Sequence, residues 1–139
     1  MRQHAFDKIS LVAPGASMRV AVSAAVILFL SVASAQAADA AHGAQVFKAC
    51  APCHSTEAGQ RSFMGPNLNG VVGRKAGSTD FPYSARMKSA GLDWTPANLD
   101  AYLQHPSAVV PGNRMAFGGL PSEVDRADVI AFLKTKGGK

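Results

Sequence analysis

Cysteine occurs only twice in this chain, at Cys50 and Cys53, so no second Cys/His pair exists to complete a zinc site. His42 and His105 could be recruited, but their spacing fits no common zinc pattern. No run of Lys or Arg exceeds two residues, which argues against a nucleic-acid binder. No stretch alternates convincingly as a strand, which removes the βαβ setting of a thioredoxin-like redox pair. No apolar run reaches the roughly 20 residues of a membrane span. There is no internal repeat, and 139 residues leave room for one domain.

What is present begins with a leader. Residues Met18 to Ala37 read "MRVAVSAAVILFLSVASAQA": a basic start at Arg19, an apolar run from Val20 to Val32, then small residues at Ala35 and Ala37. That is the order of a secretory signal, with cleavage expected after Ala37 and the domain occupying 38–139. Residues 1–17 make an unusually long leading region, and Met18 is a second candidate start. An uncleaved anchor is the alternative, but little chain separates Ala37 from the first folded element near Gly43. The segment carries Arg2, Lys8, Arg19 and Asp7, so the remainder holds 11 basic and 8 acidic residues, a net +3. This mild excess permits steering toward an acidic partner.

Four helical patches follow. "DAAHGAQVFKACAPC" opens on Asp39 as N-cap. "YSARMKSAG" stops at Gly91. "TPANLDAYLQHP" has Thr95 as N-cap, Pro96 at the first helical position and Pro106 beyond its end. "SEVDRADVIAFLKTKGG" starts on Ser122 with Asp125 three residues on, and places Val129, Ile130, Phe132 and Leu133 on one broad face. Residues 55–82 and 106–121 are rich in Gly, Pro, Asn and Ser and show little periodicity. A short chain with this much loop buries little apolar surface alone, and folds more readily around a large apolar cofactor.

"CAPCH", residues 50–54, names that cofactor. A disulfide between Cys50 and Cys53 would close too small a loop to stabilise much. Covalent c-type haem is the specific reading. Two thiols three residues apart can add to the two vinyl groups of one porphyrin edge, and the following His54 falls beneath the iron as proximal ligand. Attachment needs reduced thiols outside the cytoplasm, so leader and motif support each other. For the opposite axial position the candidates are Met64, Met87 and Met115. Met64 stands ten residues from His54 and Met87 lies in a helical patch. Met115 sits in "VVPGNRMAFGG", a stiff loop 61 residues from His54, long enough to cross the haem. Methionine as a weak thioether donor favours Fe(II) and raises the reduction potential.

With these residues placed, the sequence resembles the small class I cytochromes c of the mitochondrial-like bacterial type over nearly all of residues 42–136. The resemblance implies an all-α cytochrome c fold, four to five short helices and long loops wrapped around one covalent haem c. It implies that Gly43 and Phe47 cross the last helix at Val129 and Phe132. It gives Pro66 of "GPNLNG" the carbonyl that bonds His54, and puts Arg74 of "GRKAG" near a propionate. Tyr83 and Trp94 match residues that bond the propionates, and Tyr102 matches a buried tyrosine beside the methionine sulfur. Asn113 of "PGNRM" is expected to bond a propionate or nearby backbone. Two departures stand out. Met87 occupies a position where mitochondrial members have an asparagine. Positions that carry lysines around the haem edge in relatives are here Ala49, Phe63, Ser107, Ala108, Pro121, Ser122 and Glu123; Arg61, Arg114 and Lys48 remain basic. Docking is therefore expected to be less salt-dependent than in lysine-rich relatives.

The expectation is a monomeric, non-enzymatic periplasmic electron carrier. Its haem cycles between Fe(III) and Fe(II), with Cys50 and Cys53 attaching the group, His54 and Met115 on the metal, and Arg74, Tyr83, Trp94, Tyr102 and Asn113 around it. Its partners would be quinol–cytochrome c oxidoreductase, a terminal oxidase or reaction centre, or a periplasmic dehydrogenase. Neither nucleic acid nor stable membrane insertion after cleavage is expected. The rival is a haem peroxidase or ligand-binding sensor with an open or labile sixth position, and no candidate distal histidine supports it.

Overall fold

The computed structural model describes residues 37–61 and 64–137. The expected leader and Phe63 therefore lie outside the described residues, apart from Ala37. Five α-helices carry the chain: α1 (Ala40–Val46), α2 (Ala85–Lys88), α3 (Pro96–Gln104), α4 (Pro106–Val109) and α5 (Glu123–Lys134). No strand forms among the described residues, only an isolated bridge between Lys75 and Asp93. None of these helices is long and apolar enough to cross a membrane.

Four of the five helices start where a polar side chain satisfies their first amide donors; α4 has no such cap. Asp39 accepts from the amides of Ala41 and His42, Ser84 from Met87, Thr95 from Asn98, and Ser122 from Asp125. Two elements differ from the sequence expectation. The first helix was expected to run as far as the cysteines, but it tightens after Val46 into a 3₁₀ turn, Phe47–Ala49. Pro106 was read only as a terminator of α3. It also opens α4, because a proline that cannot continue one helix is well suited to the first position of the next.

The organising contact is α1 against α5. Gly43 sits flat on α5: a Cβ there would lie 2.0 Å from the carbonyl oxygen of Asp128, so only glycine permits this approach. Beside it the rings of Phe47 and Phe132 meet at 5.3 Å. The buried carboxylate of Asp128 accepts from the Asp39 amide at 2.7 Å and from His42 Nδ1 at 2.7 Å, tying the start of α1 to α5. Val129, Ile130 and Leu133 are buried, with Leu99 of α3 and Val71 of the long loop in the same core. Met87 is also buried there, an apolar residue where a polar network was the alternative.

Candidate haem centre

The CAPCH segment continues the 3₁₀ turn. Cys53 and His54 both donate their amides to Cys50 O at 3.0 Å, which places Cys50 and His54 one helical turn apart on the same side. The two cysteines are half-buried and not joined to each other. Burial, and then the neighbouring Cys53 sulfur, raise the pKa of the Cys50 thiol and keep it protonated at neutral pH.

His54 Nδ1–H donates to Pro66 O at 2.7 Å. A carbonyl can only accept, so the proton is on Nδ1 and the Nε2 lone pair is left for a metal. Burial lowers the His54 pKa, against the smaller opposing effect of the Pro66 carbonyl, and so favours the neutral, ligating form. Gly65 makes room for the ring: a Cβ there would lie 2.5 Å from His54 Cε1 and 2.9 Å from Cys53 O.

Pro66 is held by a lattice of bonds that sequence reading did not anticipate. Asn67 Nδ2 donates to the carbonyls of Glu57 and Gln60, and its Oδ1 accepts from the Asn69 amide. Asn69 Nδ2 donates to Thr56 O at 2.8 Å. Arg74 donates to Asn69 O at 2.8 Å and Asn67 O at 2.9 Å. Its guanidinium, expected beside a propionate, is first of all a brace for the carbonyls flanking the proximal turn. "GPNLNG" shows these asparagines plainly; their partners could not be read because they depend on how the loop folds back.

On the other side, Met115 is half-buried in the 110–121 loop. Met64 is 72% exposed and Met87 is packed in the core, so Met115 alone of the three combines partial burial with a loop position. Asn113 resolves to the backbone alternative: its Oδ1 accepts from the Met115 amide at 3.0 Å and its Nδ2 donates to Val110 O at 3.0 Å. Tyr83 Oη shares a hydrogen bond with Thr79 Oγ1 at 2.8 Å. Trp94 and Tyr102 are buried with ring centroids 4.8 Å apart, and burial raises the Tyr102 phenol to about 12.

Among the described residues no protein group bonds Trp94 Nε1 or Tyr102 Oη, and neither tip is a sealed, unsatisfied atom, so each stays open to a ligand. The donor set fits a c-type haem: two thiols on one turn, an imidazole whose remaining nitrogen can ligate, a half-buried thioether in a separate loop, and two polar tips open to a ligand. Cys50 and Cys53 would attach the group and His54 and Met115 would ligate its iron.

Fold and donor set together define a single-haem protein of the c type, and comparison with known proteins agrees. A model of the family described as Cytochrome c matches residues 40–136. The chain is 47% identical over 124 residues to a cytochrome c2 of Rhodomicrobium vannielii, covering 88% of this chain and 98% of that protein. It is 47% identical over 102 residues to a cytochrome c of Theileria annulata, covering 73% and 89%. Among solved structures, cytochrome cH from Methylobacterium extorquens aligns with a TM-score of 0.67 and 41% identity, over 70% of this chain and 99% of that one. The chain belongs to the cytochrome c family, carries one covalent haem c and works in electron transport.

Proposed function

We propose that the protein is a periplasmic single-electron shuttle with a closed, His54/Met115-ligated iron, running between larger respiratory or photosynthetic redox complexes. The haem supplies a one-electron Fe(III)/Fe(II) couple; everything else falls to the chain. His54 is fixed as a neutral donor by Pro66, and Asn113 pins the backbone of Met115, so each candidate ligand comes from a braced segment. This pairing of two braced donors is the observation that carries the reading. An open peroxidase-like iron would instead call for an acid or base facing the reactive side.

Partner choice follows from an exposed rim with little fixed charge. Ala49, Ser107, Ala108, Pro121 and Ser122 are exposed and neutral, Arg61 is engaged with Asp80 at 3.2 Å, and the remaining exposed charges at these positions, Lys48, Arg114 and Glu123, are few and of mixed sign. A brief, weakly salt-dependent encounter suits such a rim. Export is supported by the similarity to the Rhodomicrobium protein, whose 88% coverage exceeds what residues 37–139 can supply and so runs into the leader. An exported protein beginning at Ala38 is expected on N-terminal sequencing.

The decisive experiment is the optical spectrum of the ferric protein. A weak red charge-transfer band of iron-bound methionine is expected, and its loss in Met115→Ala. A high-spin ferric spectrum, or immediate carbon monoxide binding on reduction, would overturn the closed-iron reading.

A further inference from the structure

Arg126 of α5 is among the least exposed charged residues described, with 5% of its side chain accessible, and none of its bonds is needed for the helix it stands on. Its Nε donates to Asp100 Oδ1 of α3 at 2.7 Å. One terminal nitrogen donates to two successive carbonyls, Leu120 at 2.9 Å and Pro121 at 2.7 Å. Those carbonyls are the last of the loop that holds Met115. The same end of the loop is fixed to α3 by Leu120 N donating to Leu103 O at 2.7 Å. Gly119, at φ 115°, lies so close to α3 that a Cβ would stand 2.3 Å from Gln104 O. Between this end and the Asn113 turn, the described backbone bonds only within itself, through Phe117 N to Met115 O at 2.9 Å, and one side chain, Arg114, donates outward to Pro82 O.

We infer that Arg126 is a positioning residue for Met115. It clasps the exit of the methionine loop to α3 and α5, as Asn113 fixes the entry, and so sets how readily the thioether leaves the iron. A planar guanidinium is suited to the task because its fork can hold a carboxylate on one edge and carbonyls on another, which lysine cannot do. Burying the charge is tolerable because all three partners are oxygen acceptors, one of them anionic. Asp100 is 42% exposed on its side-chain surface, so its part is to orient the fork rather than to be sealed with it.

The inference rests on Met115 as ligand, and the test separates the two ideas. Asp100→Ala, a mild change on an α3 surface position, and Arg126→Gln would be compared with the wild-type holoprotein by amide hydrogen exchange and by the red charge-transfer band on warming. In Asp100→Ala the Leu120 amide should exchange roughly tenfold faster, as expected when one charge-assisted bond is lost. The Val129, Ile130 and Leu133 amides should stay within about twofold of wild type, since the change leaves the α5 core face alone. The band should disappear below the temperature at which helical circular dichroism falls, with a wider gap in Arg126→Gln. Loop and α5 amides accelerating together, with band and helices melting at one temperature, would reduce Arg126 to a general stabiliser and overturn the inference. Fast Leu120 exchange in a wild type that shows no band at all would overturn the ligand reading, and the positioning role with it.

Discussion

The two segments that carry the proposed axial ligands are built on different plans. The described parts of the proximal loop, 55–61 and 64–70, are cross-braced: the side chains of Asn67, Asn69 and Arg74 bond its own carbonyls and amides at six points. Gly70 N also reaches Lys136 O at 2.8 Å, beyond the end of α5. The methionine loop is held chiefly at its two ends. A distributed brace resists displacement at every residue, whereas an end-held span opens as a unit once either end lets go. On the proposed ligation, the histidine side would be the fixed wall of the centre and the methionine side the compliant one.

The comparison breaks most visibly at glycine. Gly65→Ala would push a methyl group into the His54 ring, and a loss of about 1–3 kcal/mol in denaturant unfolding is expected, with poor haem incorporation. Gly118→Ala, in the opposite loop, adds a Cβ that meets nothing within 4 Å, and its midpoint should move by no more than about 0.5 kcal/mol. Equal effects from the two would show that the loops are equally constrained.

Asparagine sharpens the contrast. Asn67→Ala removes three bonds and should lower global stability by about 1–3 kcal/mol. Asn113→Ala removes two and should cost about 1 kcal/mol or less in global unfolding. Its larger consequence is local: the methionine band should fade at a temperature where helical circular dichroism is unchanged. Coincident loss of band and helix in Asn113→Ala would count against the compliant-loop picture.

The smallest effect lies away from both loops and serves as their control. His42 is raised above its ordinary 6.5, first by its bond to Asp128, while Asp128 is lowered from 3.8, first by the Asp39 amide and then by His42. The stabilisation from His42 is complete below 6.5 and fades as pH rises through its raised value. That from Asp128 is complete above 3.8 and fades as pH falls through its lowered value. Stability measured against pH should therefore be highest between these limits, and the alkaline decline should flatten in His42→Asn. The methionine band of that variant should follow wild type.

Features with local causes were legible in the sequence. Asp39, Thr95 and Ser122 cap helices because capping needs only a side-chain oxygen and amides two or three residues on. CAPCH marks its cofactor because the vinyl spacing fixes the thiol spacing. The bracing was not legible. Arg74, read for a propionate, also donates to two carbonyls, because the loop folds back on it. Arg126 and Asp100 meet although they are 26 positions apart, and His42, weighed as a spare metal ligand, is a clamp on Asp128. None of these contacts leaves a pattern of spacing. α4 escaped notice for another reason: it is as short as α2 but lacks a cap like Ser84, since the His105 side chain at its start makes no capping bond.

The crossing of α1 on α5 has a consequence for the order in which the protein matures. α1 is seven residues long and cannot hold its shape alone; it needs the face that carries Asp128 and Val129. CAPCH follows α1 after the single 3₁₀ turn Phe47–Ala49, and that face comes later in the chain than both. Until α5 has been made, the two thiols belong to an unclosed chain, within reach of whatever joins them to haem. The packing of α1 against α5 thereby acts as a timer that leaves the attachment site accessible until α5 exists.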